Sequence, residues 1–328
     1  MPPAGSASIR AIRVPGCLRV GPRHPRPRLA PRSSFPRMTR ISFLGTGLLG
    51  SAFVEAAAKR GDDITVWNRT IVKARDLERF GVRVAPTPAD AVRGATRVHL
   101  VLKDDAVVEE VIEALRPGLA QDTIIVDHTT TQPALTAARA TRLTDAGVRY
   151  IHCPVFIGPA AARQGKGTIL ASGSRALFDE IHEALARMAE HVDFLGERPD
   201  LAAVYKLCGN AFIISVSAVV ADVLAIAGAS DVSPADALTV VQRFDTAALI
   251  TGRGAQMARG NFTPSFELVM ARKDVRLMIE TAGDRPLAAL PGIAARMDVL
   301  LAEGHGAEDL SVMGKDAVQP PAAQHATA

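Results

Sequence analysis

Residues Ile41 to Thr70, ISFLGTGLLGSAFVEAAAKRGDDITVWNRT, constrain this chain more than any other stretch. An apolar run from Ile41 to Leu44 leads into Gly45-Thr46-Gly47-Leu48-Leu49-Gly50. An alanine-rich helical pattern follows, and a second strand-like run occupies Asp63 to Trp67. That order predicts a β-α-β unit with a glycine turn at its first strand-to-helix joint. Gly45 would permit the tight turn, Gly47 would let the backbone approach a pyrophosphate, and Gly50 would let the helix lie close to the sheet. The helix would then direct its free N–H groups and positive dipole end at the phosphates. Dinucleotide binding by Gly45 through Gly50 is the expectation.

The end of the second strand indicates which dinucleotide. An acid here would hydrogen-bond the ribose hydroxyls of NAD and repel a 2′-phosphate. This chain has Asn68-Arg69-Thr70 instead. Arg69 offers a planar fork of donors to a phosphate, and Asn68 and Thr70 add neutral hydrogen bonds, so NADP(H) is favoured over NAD(H).

The length of 328 residues suits two domains. The net charge of +4 is misleading, because the first 40 residues hold nine Arg and no acid; without them the balance is 4 − 9 = −5. The body is mildly acidic, which argues against nucleic acid as a partner. Cys17, Cys153 and Cys208 form neither a disulfide framework nor a metal spacing, so a reducing, cytoplasmic setting fits. The histidines show no HExxH-like spacing, and no metal is expected. No run reaches roughly 18 uninterrupted apolar residues, so Ala211 to Ala221 reads as part of a buried helix, with no membrane as partner.

Residues 1–37, dense in Pro, Arg, Gly and Ser, read as a disordered leader. A start of translation at Met38 explains them better than a transit peptide, whose amphipathic helix would not tolerate so many prolines. Residues 38–196 alternate strand-like and helix-like runs, the pattern of a mostly parallel sheet with helices on both faces. Ligands of such sheets sit beyond the carboxyl ends of the strands, which gathers Lys103, Asp104, Thr129 and Thr130 around one crevice. Pro154 to Pro159 is expected to break regular structure. Residues 197–318 read as all-helical, opening with a long helix over Leu201 to Gly228 that must be covered by other helices or a second subunit. Its apolar face predicts a homodimer or homotetramer. Helical spacing continues over Phe266 to Ala282, Leu287 to Glu303 and Asp309 to Val318, and residues 319–328 read as a loose tail. The predicted fold class is therefore α/β: a Rossmann-type sheet domain followed by a helical domain.

Lys206 and Asn210 stand one turn apart on one face of the long helix. Lysine can donate a proton to a carbonyl oxygen that gains charge as hydride arrives, and an adjacent amide can fix it. Partial desolvation, or Lys273 coming near, would lower the pKa of Lys206. A solvated lysine near a helix end is the plainer alternative.

Glycine fingerprint, Asp127-His128-Thr129-Thr130, Pro154-Val155-x-x-Gly158, Lys206-x-x-x-Asn210 and Lys273-Asp274 follow one another over residues 40 to about 315. Together they resemble the β-hydroxyacid dehydrogenases, a family that includes 3-hydroxyisobutyrate dehydrogenase. The resemblance implies that Lys206 is the catalytic acid/base and Asn210 its partner. It implies substrate contacts from Thr129, Gly158 and Phe266, and cofactor contacts from Thr130 and Lys273. Leu102 and Lys103 stand where the family has Leu-Pro beneath the adenosine. Where the family reads Pro-Val-Ser-Gly-Gly, this chain has Phe156 and Ile157 in place of the serine and first glycine, predicting a reshaped, less polar substrate pocket. A substrate carboxylate could be held instead by Arg253, unless that arginine is simply solvated. His128 could line the site or serve packing.

Three functions compete on this reading. The first is an NADP(H)-dependent interconversion of a small hydroxy acid or alcohol with its aldehyde or ketone. The second is imine reduction, which the apolar Phe156-Ile157 pair keeps open. The third is a redox-silent NADP-binding scaffold.

Overall fold

The computed structural model describes residues 39–318. The leader predicted for residues 1–37 and the loose tail lie outside them. The chain order begins with β1 (Arg40–Leu44), α1 (Leu48–Lys59), β2 (Asp63–Trp67), α2 (Ile71–Arg75), β3 (Arg83–Val84), α3 (Pro88–Val92) and β4 (Arg97–Leu100). It continues through α4 (Asp105–Leu115), β5 (Ile124–Asp127), α5 (Pro133–Asp145), β6 (Arg149–His152), β7 (Val155–Phe156), α6 (Pro159–Arg163), β8 (Thr168–Ala171), α7 (Arg175–Ala186) and β9 (His191–Phe194). Helices α8 (Leu201–Ala229), α9 (Pro234–Val241), α10 (Thr246–Arg259), α11 (Leu268–Ala282) and α12 (Leu290–Ala302) complete it.

Strands β1 to β6 form one parallel sheet in the order β3-β2-β1-β4-β5-β6. Its central strands are buried on both faces because helices cover each side, which is why Ile41 to Leu44 is continuously apolar except for Ser42. Ser42 is tolerated because its hydroxyl donates to the Ala91 carbonyl at 2.6 Å. One core cluster joins Phe43, Phe53, Val66 and Val126 on one face. The other joins Leu44, Val98, Leu100, Ile112 and Leu143 on the opposite face.

Several helix starts carry side-chain caps. Thr87, Ser174 and Ser233 accept from the backbone N–H of Asp90, Leu177 and Asp236. The expectation of a single sheet is corrected. Beyond β6 a second, three-stranded sheet forms, with β7 antiparallel and β9 parallel to β8. Val155 and Phe156, expected to be irregular, pair with Ile169 and Thr168. Asp309 to Val318, expected to be helical, contains a 3-10 turn over Leu310–Gly314 in place of an α-helix, and α10 is a helix that the sequence pattern does not announce, because Gly252 and Gly254 dilute its periodicity.

The reading of α8 as a buried helix is also corrected. Phe212, Ile213, Ile214, Val216 and Val219 are 42–67% exposed. With a mean hydropathy of 2.2 over 18 residues, α8 is long and apolar enough to cross a membrane by length and composition alone. Its last third is nevertheless tied to protein: the Asp222 carboxylate accepts from the N–H groups of Ala288, Ala289 and Leu290 at 2.6–2.9 Å, capping the start of α12.

Candidate active site

The glycine turn takes the shape its sequence dictates. Gly45 has φ +99°, and a Cβ there would overlap the Val101 carbonyl oxygen; a Cβ on Gly50 would overlap the Gly45 carbonyl oxygen. These two glycines close β1 against α1. Gly47 differs, because nothing lies within 4 Å of the place its Cβ would take. Its open side faces a cleft of about 300 Å³ lined by Gly45, Asn68, Arg69, Thr70, Leu102 and Lys103, among others. Leu48 stands 84% exposed beside it, and Leu49 packs against the core.

Asn68 braces this cleft. Its Oδ1 accepts from the Thr46 N–H at 3.0 Å, and its Nδ2 donates to the Thr70 carbonyl at 2.9 Å. Both ends of its amide are thereby engaged, so it shapes the turn. Arg69 is exposed, and among the described residues no carboxylate pairs with it. The Thr46 hydroxyl is buried with no partner, and α1 has no side-chain cap at its N-terminus. An orphan hydroxyl, uncapped helical N–H groups, an open glycine and a free guanidinium fit a phosphorylated dinucleotide.

Thr129 connects this cleft to the next strand end. It is 2% exposed, its hydroxyl accepts from the Leu102 N–H at 3.1 Å, and its own N–H donates to Asp127 at 2.9 Å. Thr130, by contrast, is exposed. His128 serves packing and does not line the site: it is 3% exposed and hydrogen-bonded through both ring nitrogens, to His99 and to the Cys153 carbonyl.

The second cluster lies on α8. Lys206 is 8% exposed, and its Nζ donates to Asn210 Oδ1 at 2.8 Å, as i, i+4 geometry allows. The same Nζ lies 4.1 Å from the centroid of the Phe156 ring. Burial holds the Lys206 pKa below its ordinary value, and no neighbouring charge contributes. The proposed influence of Lys273 is therefore corrected: that ammonium, on α11, pairs with Asp274 at 2.8 Å. Phe266 is 37% exposed at the start of α11, its N–H donating to Asp309. Gly158 is the residue from which α6 starts.

Arg253 is not available for a substrate carboxylate. It pairs with Asp309 at 3.0 Å, and Asp309 also accepts from Ser265, Phe266 and Ser311. Burial alone would raise the Asp309 pKa, but the N–H donors of Ser311 and Ser265 outweigh it and hold the carboxyl well below the usual range. Sequence reading missed this hub because its members lie 43–56 residues apart. A larger cavity of about 480 Å³, between α5, β6 and α7, contains none of the predicted site residues.

Two known domain types match successive parts of the chain. Residues 40–196 match the NAD binding domain of 6-phosphogluconate dehydrogenase, and residues 201–315 match the NAD-binding region of NADP-dependent 3-hydroxyisobutyrate dehydrogenase. Cytokine-like nuclear factor N-PAC of Homo sapiens is 29% identical over 272 residues, covering 80% of this chain and 48% of that protein. The Drosophila melanogaster N-PAC is 27% identical, covering 77% and 43%. The chain thus spans about half the length of these relatives. Among solved structures, a reductive aminase from Aspergillus terreus in complex with NADPH4, cyclohexanone and allyl amine superposes with TM-score 0.77 at 23% identity, covering 86% of this chain and all of that one. An imine reductase from Myxococcus stipitatus with NADP+ gives 0.75 at 20%, covering 85% and 100%. These likenesses establish the shared fold. With both domain types matched in tandem, the chain belongs to the β-hydroxyacid dehydrogenase-like family.

Proposed function

We propose that the protein is an NADP(H)-preferring oxidoreductase that interconverts a small carbonyl compound and its alcohol or hydroxy acid, with Lys206 as general acid/base. The observation that carries this reading is the sheltered Lys206 ammonium, 8% exposed and fixed by Asn210 at 2.8 Å. A nicotinamide cofactor held by the glycine turn and Arg69 would supply the hydride for the carbonyl carbon. Lys206 delivers the proton to the carbonyl oxygen as the C=O π bond breaks, and recovers one from solvent afterwards. Asn210, accepting from Nζ, holds the lysine in one rotamer, and burial makes the ammonium a better acid. Phe156, Gly158 and Phe266 are assigned to the substrate, with Thr129 holding the loop between substrate and cofactor. Thr130 and Lys273, both exposed enough to reach outward, are assigned to the cofactor together with the glycine turn, Arg69, Thr70, Leu102 and Lys103.

Lys206→Ala should lower turnover by roughly two to four orders of magnitude, while NADPH binding, read by fluorescence, survives. Unchanged turnover removes the assignment.

Imine reduction is a second reading, favoured by the aromatic face that Phe156 presents in the site and by the fold shared with imine reductases. Against it, an ammonium at Lys206 would repel an iminium substrate. Steady amine formation from a cyclic imine, faster than reduction of any carbonyl, would establish it. A redox-silent scaffold is the third, since the relatives are named as nuclear factors; NADPH binding without oxidation across a carbonyl panel would favour it. Cytoplasmic placement belongs to the proposal and rests on the free thiols of Cys153 and Cys208.

A further inference from the structure

Phe156 is held in place by backbone as much as by packing. It is a strand residue, paired with Thr168 across β7 and β8. The turn before β8 comes so close that a Cβ on Gly167, at φ +99°, would lie 2.8 Å from the Phe156 carbonyl oxygen and 2.9 Å from Ile157 Cγ1. From this strand the ring reaches across to α8. There it covers Gly209, where any Cβ would overlap ring carbons, and meets the Lys206 ammonium at 4.1 Å. Gly209 is thus the recess that lets the ring lie on the lysine.

An ammonium has three N–H donors. One is spent on Asn210, and the ring face covers a second direction. What remains suits one acceptor, a carbonyl oxygen. The π face that attracts the cation carries negative charge density and repels an anion brought over that same face next to the lysine. A carboxylate placed there would lose its water and need a cation of its own. Arg253 and Arg272 already face Asp309 and Asp298 at 2.7–3.0 Å.

We propose that Phe156, seated over Gly209 and against Lys206, is the specificity-determining residue of the site and restricts it to uncharged aldehydes and ketones, rejecting those with a nearby carboxylate. This rests on the assignment of Lys206 as proton donor.

The test compares butyraldehyde with succinic semialdehyde, which differ by a terminal carboxylate, by following NADPH oxidation. In the native protein kcat/KM should favour butyraldehyde by about tenfold or more. Phe156→Ser should shift the ratio toward the acid by at least about tenfold. Phe156→Leu, which keeps an apolar side chain over Gly209 but removes the π face, should shift it in the same direction by less. A native preference for the acid, or one ratio in all three proteins, overturns the proposal. Calorimetry of the NADPH-loaded proteins with butyramide and succinamate reads the same discrimination without turnover. Tighter butyramide binding that Phe156→Ser erases, with neither aldehyde reduced, sinks the reductase assignment and leaves that of Phe156. Carbonyl turnover with equal binding of the two amides does the reverse.

Discussion

Nδ1 of His99 and Nε2 of His128 face each other at 2.9 Å inside the sheet layer, their rings stacked with centroids 5.2 Å apart. Arg97 Nε donates to His99 Nε2 at 2.9 Å, and the Cys153 carbonyl accepts from His128 Nδ1 at 2.7 Å. This chain leaves one consistent set of neutral tautomers: His99 donates through Nδ1 and His128 accepts through Nε2. Protonating either ring would place two N–H groups, or two cations, against each other. Burial, then the Arg97 charge, pushes His99 well below its ordinary pKa; burial lowers His128 to about 4 despite the Cys153 hydrogen bond. The unfolded chain therefore binds protons that the folded chain refuses. Stability should be complete above about pH 6.5 and fall as pH drops toward about 4, by roughly 1.4 kcal/mol per pH unit for each histidine. Urea midpoints at pH 7 and pH 5 check this. His99→Gln should flatten the dependence, and an equal slope in that variant would discount the pair.

Gly45 and Gly47 sit two residues apart but answer to different constraints. Gly45→Ala meets both a left-handed backbone and the Val101 carbonyl, so it should cost about 1–3 kcal/mol or more of stability. Gly47→Ala meets open space and should leave the melting temperature unchanged while weakening NADPH binding about tenfold, because the new methyl group stands where the pyrophosphate must approach. Calorimetric melting and NADPH titration separate the two effects.

Arg69 is the side chain on which the NADPH preference is proposed to turn. A charge-assisted hydrogen bond contributes about 1.5–3 kcal/mol, so Arg69→Ala should weaken NADPH by roughly ten- to a hundredfold and change NADH little. Equal losses for both nucleotides, measured by titration, would place Arg69 elsewhere than at the 2′-phosphate.

The exposed face of α8 is the surface proposed to meet a second copy. Ile213 and Ile214 are 52% and 67% exposed, and Phe212 is 46% exposed beside them. An apolar patch of this kind, on a helix otherwise anchored through Asp222, suits contact with a second copy. Sedimentation should show a dimer or tetramer, and Ile214→Glu should shift it toward monomer. A native protein that sediments only as monomer contradicts the proposal.

The local geometry of the candidate site was legible because its signals are local. The glycine turn, the caps at Thr87, Ser174 and Ser233, and the Lys206 to Asn210 spacing each depend on residues within a few positions of one another. Chain order alone therefore placed the parallel sheet before the helices. What it could not show is where distant segments meet. Two-residue β7 carries no readable period, so the second sheet depends on Thr168 and Ile169 arriving beside it. Arg253 is a plain exposed arginine until Asp309 is brought against it.

The sequence by itself determined that this chain folds a dinucleotide-binding β-α-β unit, since glycines at fixed offsets and alternating apolar runs act over short range. Only the tertiary structure decided the environment of Lys206. Phe156 comes from a different sheet, and its ring rests on that ammonium because Gly209 leaves room, a fit between surfaces about 50 residues apart in the chain. Burial of a charge is a property of what surrounds it, and no local pattern encodes that.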